Sequence, residues 1–583
     1  MDFSILNLNA GSTAAIKERK GADGILYLDL DVSFAEPTAP QKVTVKWEYP
    51  CVDTFSIWSA NIGFARLIGA DWAKRTCRSR LANGAPFHAL VSRSGENRMT
   101  VAVSDAQTPI EIATGVCEET ACVSCEVRFF TEPINKITSY RATISIDTRP
   151  VDYGDALKTA DRFLAKDCGY PSAYIPDAAR RPMYSCWYSF HQNIDVEEIL
   201  EQCRLAKAYG MESVIVDDGW QTDNTQRGYA YCGDWEVCPS KIADMKAFVD
   251  RVHACGLKFI LWYSVPFVGI HSRAYSRFSD MFLDGNKEAS GRDWAVLDPR
   301  YPEVRKFLVD TYVKAKKEWG LDGFKLDFID EFRLTSKTKQ DDPRRDTRSL
   351  EDGVDKLLDE VTTALRAIDP EILIEFRQSY FGPAIRKYGN MIRVRDCPND
   401  PLANHVYGTD LRFISDQTAI HSDMLMWNLQ DTVRSAAHQI LCILFTVPQI
   451  SVLIDKIPED HRKMLKFWMT YWNENREILL DGDFSAKAPE HLYTQVKSTK
   501  NGKTIAVAHG NPVLSVGKAE TVDFINNMGE DTLLIRTEGE TGARDYRILD
   551  CMGNETESGK VNLTAGVHTF RVPECGMLKL SKA

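Results

Sequence analysis

Between about residues 181 and 480, eight apolar, strand-like runs recur. Each is followed by a helical stretch or by a loop long enough to hold one. The runs are MYSCWYSF (183–190), ESVIVDDGW (212–220), LKFILWYSV (257–265), DGFKLDFIDEF (322–332), EILIEFRQ (371–378), MIRVRDCP (391–398), DMLMWNL (423–429) and PQISVLI (448–454). Amphipathic segments such as VEEILEQCRLAKAYGM, EVRKFLVDTYVKAKKEWG and EDGVDKLLDEVTTALRAID lie between them, and most helices close near Gly or just before the next apolar run. Buried parallel strands alternating with helices give a (β/α)8 TIM barrel. A doubly wound open sheet is the runner-up, but the glycine-rich nucleotide turn such a fold calls for is missing.

The flanks read differently. Residues 1 to about 165 alternate apolar with polar in short segments, among them KVTVKWEYP, RMTVAVS and YRATISID. From about residue 482, TIAVAHG, TVDFIN, TLLIRTE and GVHTFRV do the same. The expectation is a multidomain chain: an N-terminal β-sandwich over residues 1–170, a catalytic barrel over 171–480, and a C-terminal antiparallel β-sandwich over 481–583. A chain of 583 residues is too long for one core, which agrees with this division.

Lys plus Arg number 71 against 82 Asp plus Glu, a net charge of −11 with no basic stretch. That argues against nucleic acid or an anionic membrane as partner. No run is long enough to span a bilayer. The N-terminus lacks a basic start followed by a long apolar run, so the expectation is a cytoplasmic enzyme with reduced thiols. Cys117, Cys122 and Cys125 have the spacing of an iron–sulfur loop, but a fourth ligand is missing and CVSCEVRFF alternates like a strand. Neither a metal nor a cofactor is expected, as no zinc-ligand spacing occurs.

Barrel enzymes carry their chemistry at the C-terminal ends of the strands, and the unusual polar residues cluster there. The second run ends in Asp217-Asp218-Gly219-Trp220 and the third near Trp262. The fourth carries Lys325 and Asp327, the fifth Glu375 and Arg377, the sixth Arg393, Arg395 and Asp396. Period-two geometry turns Lys325 and Asp327 to one face, and the cation keeps the carboxylate ionised. An ionised Asp at a strand end suits a nucleophile for a sugar acetal. The bland alternative is an ion pair at the end of a core strand, but acids, bases and Trp on nearly every strand end describe a pocket for hydroxyls. Asp396 is the candidate acid, with Asp330, Asp400 and Asp423 as rivals.

DDGWQ on the second strand, K-x-D on the fourth and R-x-x-D on the sixth resemble the retaining α-galactosidases of glycoside hydrolase family 36, with family 27 a more distant relative. The resemblance extends to the domain order. It implies that Asp327 is the nucleophile and Asp396 the general acid/base. It further implies that Asp217 and Asp218 bind the 4- and 6-hydroxyls, that Lys325 binds ring hydroxyls, and that Trp220 and Trp262 line the pocket. Glu375 and Arg393 fall near the 2-hydroxyl or the nucleophile, and Arg377 joins the substrate-binding set. Departures from the family pattern occur at Asp327-Phe328-Ile329, at 374–378 where a Cys-Ser-Gly-Gly stretch is usual, at 263–266 after the third-strand Trp, and at Arg395-Asp396-Cys397. They put the exact sugar in question. The implied activity is hydrolysis of terminal α-galactosides with retention. The alternatives are an α-N-acetylgalactosaminidase or another galacto-configured α-glycosidase, a raffinose-type transglycosylase, and a non-catalytic carbohydrate-binding protein. The partner is a carbohydrate substrate; monomer and homodimer both stay open.

Overall fold

The computed structural model describes residues 1–339, 341–540 and 542–582. Eight parallel strands form the central sheet: β1 (Met183–Ser185), β2 (Ser213–Val216), β3 (Lys258–Ser264), β4 (Gly323–Asp327), β5 (Leu373–Arg377), β6 (Met391–Arg393), β7 (Ala419–His421) and β8 (Gln449–Ile450). β8 pairs with β1, and a bridge between His421 and Val447 brings the β7 edge to the segment entering β8, so the sheet closes on itself. The strands are mostly apolar because helices cover them outside and side chains fill them inside; the exceptions include Lys325, Asp327, Glu375, Arg377 and Arg393. Most of the helices that follow are capped as their sequences suggest. Asp195, Asp244, Ser349, Asp400 and Thr432 each accept an amide hydrogen at a helix start.

One expected strand is displaced. The 423–429 run is not β7, which is the preceding Ala419–His421. Past His421, Asp423 is tied down by its own polar bonds: its amide donates to Asn404 Oδ1 at 3.0 Å and its Oδ2 accepts from Cys397 N at 2.7 Å. The chain is pulled off the sheet there, touching it again only where Leu425 bridges Ile450.

Two six-stranded sheets make the N-terminal sandwich, packed over Leu28, Val45, Trp47, Val101, Ile112, Val127 and Ile144. Its last strand ends at Asp147. The β reading up to about residue 165 fails at helix Tyr153–Lys166, which Asp152 caps and which buries Leu157, Ala160, Phe163 and Leu164. Cys122–Phe129 is a strand, Cys117 and Cys122 face each other across its hairpin, and all fifteen cysteines are free thiols. The C-terminal domain stacks a seven-stranded sheet on a three-stranded one, largely antiparallel with two parallel ladders.

The N-terminal sandwich leans on the C-terminal mouth of the barrel. Arg80 donates to Phe332 O at 2.6 Å and to Glu351 at 2.8 Å, and Gly84 N donates to Ser379 O at 2.8 Å. A buried cluster pins all three domains: Arg66 and Trp58 of the sandwich reach Asp410 of the barrel at 2.8 and 2.9 Å, and Tyr493 of the C-terminal domain donates to the same carboxylate. No helix among the described residues is long and apolar enough to cross a membrane.

Candidate active site

The strand ends converge on one pocket at the C-terminal face. Its wall brings together Asp217, Asp218, Trp262, Lys325 and Asp327 with Arg377, Arg393 and Asp396. Trp187, Tyr229 and Phe328 complete it. The cavity between these side chains is about 50 Å³ and opens to solvent on the side of Asp396. A larger crevice of about 480 Å³ lies at the opposite end of β7, where the three domains meet. Three of its acids are matched by cations, in the pairs Lys158–Asp483, Asp161–Arg386 and Arg180–Asp481, as befits a junction.

Asp327 ends β4 and is buried. Its Oδ1 accepts from Arg377 Nε at 2.6 Å, from the Phe328 amide at 2.8 Å and from Tyr380 at 3.1 Å; its Oδ2 accepts from Trp262 Nε1 at 3.0 Å. Burial alone would favour the neutral acid. The charges of Arg377 and Lys325 and the bond from Trp262 outweigh it, so the carboxyl is held well below the usual carboxylate range.

Asp217 and Lys325 form a buried pair at 2.6 Å, each side chain 4% exposed. Asp217 turns its other oxygen back to the Asp218 amide at 2.9 Å. Asp218 accepts from Gln192 at 2.6 Å and Gln221 at 2.7 Å. Burial pushes its carboxyl up to about 6, against those two bonds, and the Asp217 charge adds to the rise. Gly219 makes the turn after them with φ +110°, where an added Cβ would meet the Gln192 backbone at 2.7 Å.

Arg393 is the hub beneath the acid side. It reaches Asp423 at 2.5 Å, Asp396 at 2.9 Å and Glu375 at 3.9 Å. Asp396 itself is 59% exposed at the rim. What burial it has raises its pKa, but Arg393 and Arg377 bring it below the ordinary value. Among its rivals, Asp400 caps helix Pro401–Arg412, and Asp423 is fully buried, holding Arg393 and Tyr188. Asp330 faces Arg377 at 3.8 Å.

Two expected pocket residues stand outside the wall. Trp220 is fully buried behind it, donating to Trp262 O at 2.9 Å and packing on Trp235, Tyr263 and Trp319. The turn at Gly219 sends its indole into the core rather than the mouth. Glu375 lies one layer below, paired in register with Lys325, and is fully buried. Burial pushes its carboxyl up to about 7, Lys325 and Arg393 notwithstanding. Sequence reasoning missed Tyr229, Phe328 and Tyr380. Phe328 adopts φ +65°, a conformation unusual for an aromatic residue, which nothing in the sequence signals.

The family model for Melibiase matches residues 173–482, more than half of the chain, and the chain belongs to that family. The α-galactosidase Mel36A of Lactobacillus acidophilus is 29% identical over 160 residues, 26% of this chain and 20% of that protein. The A type blood α-D-galactosamine galactosaminidase of Flavonifractor plautii is 27% identical over 174 residues, 27% of this chain and 15% of that protein. These matches span a fifth or less of the relatives' own length. The crystal structure of the GH36 α-galactosidase AgaA from Geobacillus stearothermophilus superposes with a TM-score of 0.64 at 16% identity, covering 100% of this chain and 86% of that one. The family and the barrel with flanking β-domains expected from the sequence both hold.

Proposed function

We propose that the chain is a retaining exo-α-galactosidase. The observation that carries the reading is the pairing of environments: an aspartate clamped ionised at the end of β4, and a second aspartate at the rim after β6 with its side chain open to solvent. The Asp327 carboxylate attacks the anomeric carbon as the glycosidic C–O bond breaks, and its electron pair goes to the leaving oxygen. Asp396 supplies that oxygen's proton. Asp396, now ionised, takes a proton from water, whose oxygen displaces Asp327 from the glycosyl-enzyme. The acid must be protonated for the first step. The Asp327 charge acts in that direction, raising the Asp396 pKa; once that charge is consumed in the glycosyl-enzyme the pKa falls, which leaves Asp396 as the base for the second step.

The Asp217–Lys325 pair and Asp218 form the sugar-binding wall opposite, offering carboxylate acceptors to hydroxyls. A substrate lacking a matching hydroxyl leaves acceptor positions of these buried carboxylates unfilled, which is how an epimer is refused. Mel36A and AgaA are named as α-galactosidases, which supports this choice of sugar. A panel of aryl α-glycosides run on the wild type and Asp327→Asn tests the reading. Galactoside turnover that the variant abolishes is expected; more than a few per cent of kcat left in a folded variant refutes it.

A further inference from the structure

We infer that Arg377 and Tyr380 are positioning residues for the nucleophile, presenting Oδ2 of Asp327 alone to the anomeric carbon. The inference rests on the reading of Asp327 as nucleophile. A carboxylate has about four acceptor positions over two oxygens. Oδ1 takes three donors, from Arg377 Nε at 2.6 Å, the Phe328 amide at 2.8 Å and Tyr380 at 3.1 Å. The single Tyr380 hydrogen is shared with Leu326 O, also at 3.1 Å. Oδ2 takes only Trp262 Nε1, at 3.0 Å. Oδ1 is therefore saturated, and the free lone pair belongs to Oδ2.

The Arg377 guanidinium is anchored on protein through two of its three nitrogens. Nε holds Asp327, Nη1 donates to Gln378 O at 2.7 Å and Nη2 faces Asp330 at 3.8 Å. Its carbon lies 5.1 Å from the Phe328 ring centre and 5.5 Å from that of Tyr380. A planar group so anchored fixes the direction from which Nε meets Oδ1 of its carboxylate partner. Nε cannot turn to a sugar hydroxyl without letting the nucleophile go, so this contact serves the reacting carboxylate rather than the substrate. The charged and titratable groups facing Asp327 are Lys325 on its own strand, Arg377 and Tyr380 from β5 and its loop, Arg393 and Asp396 from β6, Asp330 from the following turn and Tyr229 from the loop after β2. Of these, Arg377 is the cation with the strongest hold, and its loss leaves Asp327 more basic.

The test uses Arg377→Gln, Arg377→Lys and Tyr380→Phe in the full chain, read by kcat, KM and the pH dependence of kcat/KM. An activated fluorogalactoside that traps the glycosyl-enzyme locates the nucleophile by peptide mass. Arg377→Gln is expected to lose about tenfold or more in kcat and in trapping rate at unchanged KM, with the acidic limb of kcat/KM moved up by about one pH unit. Arg377→Lys restores the limb but only part of kcat, because an ammonium supplies the charge without the planar group. If Arg377→Gln does not fold, Tyr380→Phe carries the test, and is expected to lower kcat alone. A rise in KM with kcat and the limb unchanged makes Arg377 a sugar ligand and overturns the inference. Unchanged kinetics in Tyr380→Phe removes its role. Trapping on a residue other than Asp327 in the wild type overturns the nucleophile reading, and this inference with it.

Discussion

Replacing Glu375 with Gln is expected to make the protein's stability less sensitive to pH, by an amount the structure sets. Glu375 is fully buried, one Oε2 bond to Gln449 is its only hydrogen bond, and Oε1 has none. Burial raises its carboxyl from the ordinary 4.5 to about 7. The folded state thus binds a proton that the unfolded chain has released between those values. The sign follows: this group's contribution is fully present below about pH 4.5 and is lost as pH rises through about 7. At about 1.4 kcal/mol per pH unit the span amounts to about 3 kcal/mol. Gln keeps the amide oxygen as acceptor and does not titrate. Its stability relative to wild type should rise by about 3 kcal/mol between pH 4.5 and 8, or on the order of 2–5 °C in Tm for a barrel within a chain of this size. Thermal unfolding of both proteins across that range reads it, and the comparison cancels every other titrating group. A gap that stays flat with pH, or closes as pH rises, refutes the buried neutral acid.

Three further outcomes are expected. Asp396→Ala should lose far more activity on poor leaving groups than on activated aryl galactosides, and azide should restore turnover as a glycosyl azide; uniform losses without rescue would move the role to another acid. Asp217→Asn or Asp218→Asn should weaken transition-state binding by roughly 2–4 kcal/mol on galactosides and less on 4-deoxy or 6-deoxy analogues, measured as kcat/KM. Equal losses across the three would give these residues to the fold instead. Asp410→Asn strips the carboxylate from buried Arg66 and should cost about 3–5 kcal/mol in unfolding; a Tm within a degree of wild type would mean the three-domain cluster holds nothing.

The barrel was legible because parallel strands covered on both faces write themselves as short apolar runs at regular intervals. The sixth, MIRVRDCP, and the second, ESVIVDDGW, stop where the polar residues begin. β7 was not legible: Ala419–His421 is three residues long, while the more apolar 423–429 run lies next to it. Helix Tyr153–Lys166 does carry a signal, in Asp152 as cap and in the spacing of Leu157, Ala160 and Leu164, but it directly follows strands of period two and ends the sandwich without a linker.

At the site, residue types and strand ends were readable and depth was not. Period two shows that Glu375 and Arg377 share a face of β5, and Lys325 and Asp327 a face of β4. Register decides which of them meet, and register is a property of the closed sheet. Lys325 pairs with Glu375, so these two form a lower layer, about 7 Å beneath Asp327 and Arg377 by the rise of two strand residues. Two carboxyls one layer apart then compete for Lys325 and Arg393. The upper one adds Arg377, Trp262, Tyr380 and a backbone amide to its side; the lower one adds a single glutamine. The buried positive charge is thereby settled on Asp327, the nucleophile of the proposed mechanism, and the acid below is forced towards neutrality at the pH where Asp327 stays ionised.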